Sequence, residues 1–321
     1  MIKHKIIISF LLLTQILGEE IKVKEIYLKG LITDKKQEIS GMDWYQDKLF
    51  LLPENLGGFL FAISKIEILS AIDNKRQRPI TPKQTKFTTP DYSIMIPGFD
   101  GFEAISFNDD KVFISIEAED NGIMKGYIAW GEINPKTLEI QIKDENLKIV
   151  NTPIQIDNMS FESLVFHNNE LIMMYEANGI NLQKKVKQPV FSLKEKKISY
   201  MDSENIEYRI TDITKVNQSN RFWGINYFWP GDEKLLLPGK DLILNRIIKG
   251  KSHSQSNTVE RLIEFELKGK NIILTNNNPI QLILDPNNSR NWEAIARLDD
   301  KGLLIATDKY PKMILGFVPF N

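Results

Sequence analysis

The stretch DGFEAISFNDDKVFISIEAED, residues 100–120, contains two alternating apolar strands that are separated by a polar Asn-Asp-Asp turn and flanked by acidic residues. Alternation with a period of two indicates half-buried β-strands, and the short polar turn indicates an antiparallel hairpin. The first residue of one strand of a hairpin lies opposite the last residue of the other. The stretch therefore predicts a hairpin that presents Glu103 and Glu117 together at one end.

The same pattern recurs along the chain. FESLVFHNNELIMMYEAN (161–178) and WEAIARLDDKGLLIATDKY (292–310) also begin with an aromatic residue and a glutamate and end near an acid. Two weaker copies, ISGMDWYQDKLFLLPEN (39–55) and ITDITKVNQSNRFWGIN (210–226), carry a hydroxyl residue in place of that glutamate. The five head positions are Ser40, Glu103, Glu162, Thr211 and Glu293.

The spacing of the heads predicts the architecture. They are 63, 59, 49 and 82 residues apart, intervals that suit four-stranded modules with loop insertions. The sequence therefore predicts an all-β fold, a β-propeller in which five blades are favoured and a sixth, degenerate blade in the longest interval is the alternative. A strand in IKVKEIYLKG (21–30) is predicted to pair with the last strand, MILGFVPF (313–320), and to close the ring. A β-sandwich is the competing interpretation, although two packed sheets give no reason to repeat an acidic head.

The N-terminus has the layout of a secretory signal. Lys3 and Lys5 give a positively charged start to an apolar stretch that ends at Gly18. We predict a signal peptide over residues 1–18, a single propeller domain over 19–321, and a periplasmic or secreted mature protein without a transmembrane segment. An uncleaved anchor and a buried strand are the alternatives for the apolar stretch. The absence of cysteine excludes disulfides and a lipid-modified cysteine.

Charge gives no indication of a polyanionic partner. The formal net charge is −1 and the sequence pI is about 6.4. With positive and negative charges this nearly equal, the sequence does not predict a strongly basic surface that would bind nucleic acid. We predict a monomer that takes a small ligand and no nucleic acid.

The head positions predict a cation site. In a propeller the first strand of every blade lines the central channel, so five head side chains would converge at one mouth. Crowded carboxylates repel each other, and a hard cation with oxygen ligands relieves that repulsion. Calcium is favoured and magnesium is the alternative. Zinc is disfavoured because nitrogen and sulfur ligands are scarce in a chain with only three histidines and no cysteine. The competing interpretation is that the glutamates accept backbone N–H bonds or carry protons.

The ends of the second strands are predicted to lie farther out around the same mouth. These tail positions, with two neighbouring cations that would hold an anionic ligand, are Glu54, Glu117, Glu176, Asn226, Asp308, Lys309 and Arg290. Solvated loop residues are the alternative interpretation of the tail acids, and ordinary solubilising side chains on loops are the alternative interpretation of the two cations.

The motifs ISGMDW, FEAISF, FESLVF and NWEAIA resemble the blade openings of the phytase-like and SdiA-regulated propeller families of exported bacterial proteins. The order Ser, Glu, Glu, Thr, Glu is also similar to that of calcium-activated nucleotidases, the secreted apyrases, which are five-bladed propellers with a channel calcium. The resemblance implies that Ser40, Glu103, Glu162, Thr211 and Glu293 form a calcium shell. This sequence departs from the families in having Ala or Ser after the glutamate and Thr211 in place of a serine, and it lacks a match to the nucleotide-handling segments.

Three functions agree with these residues. They are a calcium-dependent phosphoesterase acting on a small anionic substrate, a non-catalytic propeller whose structural calcium supports binding of a ligand or cell-surface partner, and a lactonase or esterase of the calcium-propeller type. The sequence has no G-x-S-x-G elbow, phosphate-binding glycine loop or dinucleotide fingerprint. It therefore predicts a site more firmly than a reaction.

Overall fold

The computed structural model describes residues 17–54, 58–73 and 78–320, and its regular elements are mostly β-strands. The first nine strands are β1 (Lys24–Ile26), β2 (Ile39–Tyr45), β3 (Lys48–Pro53), β4 (Phe59–Ser64), β5 (Lys83–Thr88), β6 (Phe99–Asn108), β7 (Lys111–Asp120), β8 (Ile123–Ile133) and β9 (Ile140–Asn151). The remaining strands are β10 (Ser163–His167), β11 (Glu170–Met174), β12 (Val186–Ser192), β13 (Lys197–Ser203), β14 (Arg209–Ile213), β15 (Arg221–Phe228), β16 (Val259–Lys268), β17 (Asn271–Leu274), β18 (Ile280–Gln281), β19 (Trp292–Leu298), β20 (Gly302–Thr307) and β21 (Leu315–Pro319).

The helices are short and lie in the connections. The α-helices are α1 (Lys65–Asp73), α2 (Tyr92–Met95) and α3 (Glu233–Leu236), and the 3-10 turns are Leu31–Thr33, Lys35–Gln37, Pro230–Asp232 and Leu242–Asn245. None of the helices in the described part of the chain is long and apolar enough to cross a membrane.

The strands form three sheets. Hydrogen bonding gives the order β2-β3-β4-β5-β9-β8-β7-β6 in one sheet, β10-β11-β12-β13-β17-β16-β15-β14 in another, where β18 also pairs with β16, and β1-β21-β20-β19 in the third. Each large sheet consists of two antiparallel four-stranded groups, which are joined by the parallel pairs β5/β9 and β13/β17. The chain is therefore an all-β protein, as the alternation of the sequence predicts.

Asn/Asp turns connect the first two strands of several groups. Tyr45 pairs with Lys48 across Gln-Asp, Asn108 with Lys111 across Asp-Asp, and His167 with Glu170 across Asn-Asn. The first turn residue has positive φ in each case. Asn and Asp tolerate this left-handed conformation better than most residues, so the turns are found where the sequence predicts them.

The first strands of the four-stranded groups contact one another in succession. β2 contacts β6, β6 contacts β10, β10 contacts β14, β14 contacts β19, and β19 contacts β2. Apolar side chains pack between neighbouring groups. The ring centroids of Phe50 and Phe107 lie 5.1 Å apart, and those of the stacked Phe113 and Phe166 lie 5.0 Å apart. This burial of faces between groups agrees with the predicted β-propeller.

The segment after Gly18 packs against the C-terminal part of the chain. In β1, Lys24 pairs with Phe317 and Ile26 with Leu315, so the predicted pairing of IKVKEIYLKG with the last strand is present. Glu20 accepts hydrogen bonds from the Ser252 hydroxyl and backbone N–H groups. The predicted signal peptide lies almost entirely outside the described residues and stays a prediction.

Candidate functional site: a carboxylate ring

Acidic side chains from several strands gather at one end of the five first strands. Charge interactions link Glu103 to Glu54, Glu117, Glu162 and Glu293, and link Glu293 in turn to Asp308. We use the name carboxylate ring for the set Glu54, Glu103, Glu117, Glu162, Glu176, Glu293 and Asp308. The structure thus brings together the three glutamate heads and the acidic tails that the repeat predicts.

Most of the head residues are located at β-bulges. The strand pairing shifts between Ile39 and Gly41, between Phe102 and Ala104, between Ile210 and Ile213, and between Trp292 and Ala294. The heads at these shifts are Ser40, Glu103, Thr211 and Glu293. A bulge leaves a residue outside the regular ladder and redirects its side chain, and bulges are frequent beside active sites. The bulges therefore explain why these side chains depart from the strict alternation of their strands.

The two hydroxyl heads connect neighbouring strands. Ser40 Oγ donates to the Phe102 carbonyl oxygen at 2.5 Å, and Thr211 Oγ1 donates to the Trp292 carbonyl oxygen at 2.6 Å. Each carbonyl belongs to the residue before a glutamate head. The hydroxyl heads therefore fix the backbone from which Glu103 and Glu293 project.

Two aspartates that the sequence analysis did not identify make similar connections. Asp43 Oδ2 accepts from the Phe107 N–H at 2.7 Å, and Asp212 Oδ2 accepts from the Ile295 N–H at 2.8 Å. Both aspartates are buried. They reinforce the contacts of β2 with β6 and of β14 with β19.

Removing the Thr211 hydroxyl is expected to weaken the fold without changing cation binding. Thr211→Val keeps the shape and loses one buried hydrogen bond, which should lower the free energy of unfolding by about 1–2 kcal/mol. Urea denaturation and calcium titration of the same preparation test this prediction, and Thr137→Val, at an exposed turn, is the control. If Thr211→Val abolished calcium binding with unchanged stability, Thr211 would be a ligand instead.

Arg209 is a further residue of the site that does not belong to the repeated pattern. Its Nη2 lies 3.2 Å from Glu162 Oε1 and 3.7 Å from Glu293 Oε1, and its Nε contacts Glu176. Burial opposes the charge of the guanidinium, but Glu162, Glu293 and Asp232 raise the pKa of Arg209 above its usual range. A signal existed in the sequence: Arg209 stands two positions before Thr211, and the alternation of a strand would place both on one face. The arginine supplies a positive charge to this half of the ring.

In the other half of the ring, no ion pair to Glu54, Glu103 or Glu117 is formed within the described residues, although Lys309 lowers the pKa of Glu54 and Arg209 lowers that of Glu117. Burial and the Glu38 carboxyl raise the pKa of Glu54 to about 8, and burial and Glu162 raise the pKa of Glu117 to about 8. Burial, Glu117 and Glu54 raise the pKa of Glu103 well above its ordinary value. Crowded, desolvated carboxylates hold protons in this way until a cation neutralises them.

Gly101 makes room for this crowding. A Cβ at Gly101 would lie 2.5 Å from Glu54 Cγ and 3.3 Å from Glu103 Oε1. Any larger residue would push these two side chains away. The glycine in DGFEAISF therefore has a role in the ring that the sequence pattern alone did not indicate.

The remaining predicted mouth residues are held by partners. Lys309 forms an ion pair with Glu38 at 2.9 Å, and Arg290 pairs with Glu260 at 2.7 Å. Asn226 accepts a hydrogen bond from Arg261 and donates to the Glu207 and Arg209 carbonyl oxygens. Asn226 and Arg290 thus have structural partners, and the cations predicted to bind an anion are already paired.

The donor chemistry of the ring fits a hard cation, because the available groups are oxygens with excess negative charge. Two of these oxygens, Glu162 Oε2 and Glu176 Oε2, are buried and have no hydrogen-bond partner within the described residues. As the side chains stand, no group of three or more His, Cys, Asp or Glu in the described ranges is arranged to hold a metal ion. Arg209 fills the space among Glu162, Glu176 and Glu293. Calcium binding therefore remains a proposal, and the Glu54–Glu103–Glu117 half is the better place for it.

Comparison with solved structures supports the fold. A thermostable family-43 glycoside hydrolase, one of the propeller-type hydrolases, is similar over 92% of this chain and 93% of its own, with a TM-score of 0.51 and 10% sequence identity. A glycosyl hydrolase from Bacteroides ovatus (94% of each chain, TM-score 0.49, 7% identity) and a putative glycoside hydrolase from Parabacteroides distasonis (97% and 95%, TM-score 0.48, 9% identity) are also similar. No protein-family model and no curated protein matches the sequence. The resemblance to phytase-like propellers and nucleotidases thus stays a prediction.

Proposed function

We propose that this chain is an exported, calcium-dependent hydrolase of the β-propeller class whose reaction centre is the carboxylate ring. One observation carries the proposal: Glu54, Glu103 and Glu117 are crowded together, and their pKa values are raised although Lys309 opposes this at Glu54 and Arg209 at Glu117. A divalent cation with oxygen ligands is the group that relieves such an arrangement. The family-43 glycoside hydrolase with the same type of fold supports an enzyme.

We further propose that the fold has five blades, formed by β2–β5, β6–β9, β10–β13, β14–β17, and β19–β21 with β1. The succession of contacts from β2 through β19 and back to β2 supports this count. An ion pair of 3.1 Å between Lys215, just after β14, and Asp43 of β2 supports a narrow centre. The pairing of β1 with β21 supports closure by the N-terminal segment. Export is proposed from the signal-like N-terminus alone.

In the proposed reaction centre, Glu54, Glu103 and Glu117 would hold the ion. A bound calcium would polarise an oxygen of the scissile group. Arg209 orients Glu162 through the contact at Oε1, which leaves Glu162 Oε2 without a hydrogen bond to the described residues. That oxygen is suited to accept a proton from an attacking water, as a general base. Because Lys309 and Arg290 are ion-paired, affinity for an anionic substrate would depend on the bound ion.

Calcium titration tests the cofactor. We expect calcium to raise the melting temperature and bind at one site per chain, and Glu103→Gln or Glu117→Gln to weaken binding at least 10-fold. Glu119→Gln is the matched control, because Glu119 is exposed on the same strand as Glu117. Unchanged calcium affinity in both ring variants would refute the proposed site.

Hydrolysis tests the activity. Nitrophenyl phosphates, esters and glycosides are incubated with calcium or with chelator, and turnover that requires calcium and falls at least 100-fold in Glu162→Gln is expected. Calcium binding without turnover of any probe would support a second candidate, a non-catalytic propeller that binds a ligand. The contacts of Arg209 with three glutamates favour this non-catalytic propeller, because such contacts are typical of an ion network that stabilises the fold.

A further inference from the structure

A cavity of about 600 Å³ opens beside the carboxylate ring. Arg209 and Asn291 line it and also contact the ring, since Asn291 Nδ2 donates to Glu293 and to Asp308. A ligand in this cavity would therefore lie next to the proposed reaction centre.

Exposed aromatic side chains form one part of its wall. Trp229 is 51% exposed and Tyr310 is 56% exposed, although large aromatic residues are usually well buried. The preceding Phe228 is buried, and its ring centroid lies 4.6 Å from that of Tyr208, whereas Trp229 lines the cavity. Trp229 covers Gly231, where a Cβ would overlap the indole ring, so the glycine permits this orientation.

Neutral polar groups form the rest of the wall. Asn287, Asn288 and Ser289 line the cavity, and Ser289 Oγ lies 3.1 Å from the Tyr227 hydroxyl. Asn291 Oδ1 is buried and has no hydrogen-bond partner among the described residues. These amides and hydroxyls offer both donors and acceptors to a ligand.

The charged groups of the cavity do not favour an anion. Arg209 is already shared by three glutamates, and the other ionisable acid or base in the wall besides the tyrosines is Asp232. The neighbouring ring is strongly acidic. A ligand without net charge avoids repulsion by these carboxylates.

We infer that this cavity binds a ring of a neutral saccharide. The apolar face of a sugar ring suits the Trp229 and Tyr310 side chains, while its hydroxyls suit the asparagines, Ser289 and the unpartnered Asn291 Oδ1. The assignment names the substrate class of the proposed hydrolase and in that respect rests on the proposed function. Saccharide binding itself is a separate property that can be measured without turnover.

Binding is tested by calorimetry with xylobiose, mannobiose, cellobiose and glucose 6-phosphate, each with calcium and with chelator. We expect at least one neutral disaccharide to bind more tightly than the phosphorylated sugar, and Trp229→Ala to weaken that binding at least 10-fold. Tyr310→Ala should weaken it as well, whereas Tyr310→Phe should retain it. Tyr200→Ala is the matched control, because Tyr200 is equally exposed on β13 and does not line the cavity.

The outcomes separate the two proposals. Saccharide binding that depends on Trp229, without hydrolysis or calcium binding, would support the cavity assignment and refute the proposed hydrolase. Calcium-dependent hydrolysis of phosphates or esters, with no binding of any neutral saccharide, would overturn the cavity assignment alone. Tighter binding of glucose 6-phosphate, or equal effects of Trp229→Ala and Tyr200→Ala, would overturn it as well. The melting temperature of every variant is measured as well, to establish that each variant is folded.

Discussion

Arg209→Met is expected to lower the free energy of unfolding by about 3–5 kcal/mol at pH 7, because removing one partner of a buried ion pair leaves charge uncompensated. Arg209 is 12% exposed in its side chain, and its partner Glu176 is fully buried. Methionine fills a similar volume without charge, so lost packing contributes little to this loss. Urea denaturation at pH 7 measures it.

The effect of Arg209→Met should diminish at low pH. Arg209 lowers the pKa of Glu162 and that of Glu293, so without the guanidinium both pKa values rise and acid neutralises these carboxylates. The deficit at pH 5 is therefore expected to be smaller than at pH 7. Arg297→Met is the control: Arg297 pairs with fully exposed Asp300 and should contribute less than about 1 kcal/mol. A loss below 1 kcal/mol for Arg209→Met would show that the ring does not depend on this cation.

In chelator, stability is expected to decrease as pH rises. Glu54 and Glu117 have an ordinary pKa of 4.5 and a folded-state pKa of about 8, so the folded chain binds more protons than the unfolded chain between these values. Their stabilising contribution is complete below pH 4.5 and is lost as pH rises through 8. Each carboxylate that is protonated in the folded chain and ionised in the unfolded chain lowers the free energy of unfolding by about 1.4 kcal/mol per pH unit within that window. Glu103 acts in the same direction.

Urea denaturation from pH 5 to pH 9 measures this dependence. Asp100 and Asp308 add to the negative charge, whereas Arg209 and Lys309 oppose it. Glu117→Gln should flatten the profile because glutamine does not titrate, and Glu119→Gln should leave it unchanged. Saturating calcium should remove most of the decrease in the free energy of unfolding with rising pH. Stability that is constant or increases across this range in chelator would contradict the proposed crowding of carboxylates.

Local sequence patterns were sufficient to predict the hairpins and much of the ring. The alternation and the Asn/Asp turns predict that Glu103 lies near Glu117, and in the structure Gly101 pairs with Glu117, whose charge raises the pKa of Glu103. The recurrence of the pattern brought Glu162 and Glu293 to the same place. These features depend on periodicity, which a sequence displays directly.

The contents of the ring could not be predicted in the same way. The side chain at the centre of the ring is determined by how neighbouring groups of strands are oriented and by where the strand pairing shifts. Arg209, for example, contacts Glu162 from a different group of strands. The hydroxyl of Thr211 similarly bonds to Trp292, which is 81 residues away. Contacts between groups have no local signature, so the position of Arg209 two residues before Thr211 does not by itself indicate that the guanidinium reaches Glu162.

The β-bulges at Ser40, Glu103, Thr211 and Glu293 also bear on how such a site can diversify. A residue that stands outside the ladder contributes little to strand registration, so exchanging Glu103 or Glu293 alters the chemistry of the centre while the surrounding strands keep their alignment. Ser40 and Thr211 differ, because their hydroxyl groups hold the backbone in front of those two glutamates. Relatives of this scaffold are therefore expected to vary at the two glutamate positions more readily than at the two hydroxyl positions.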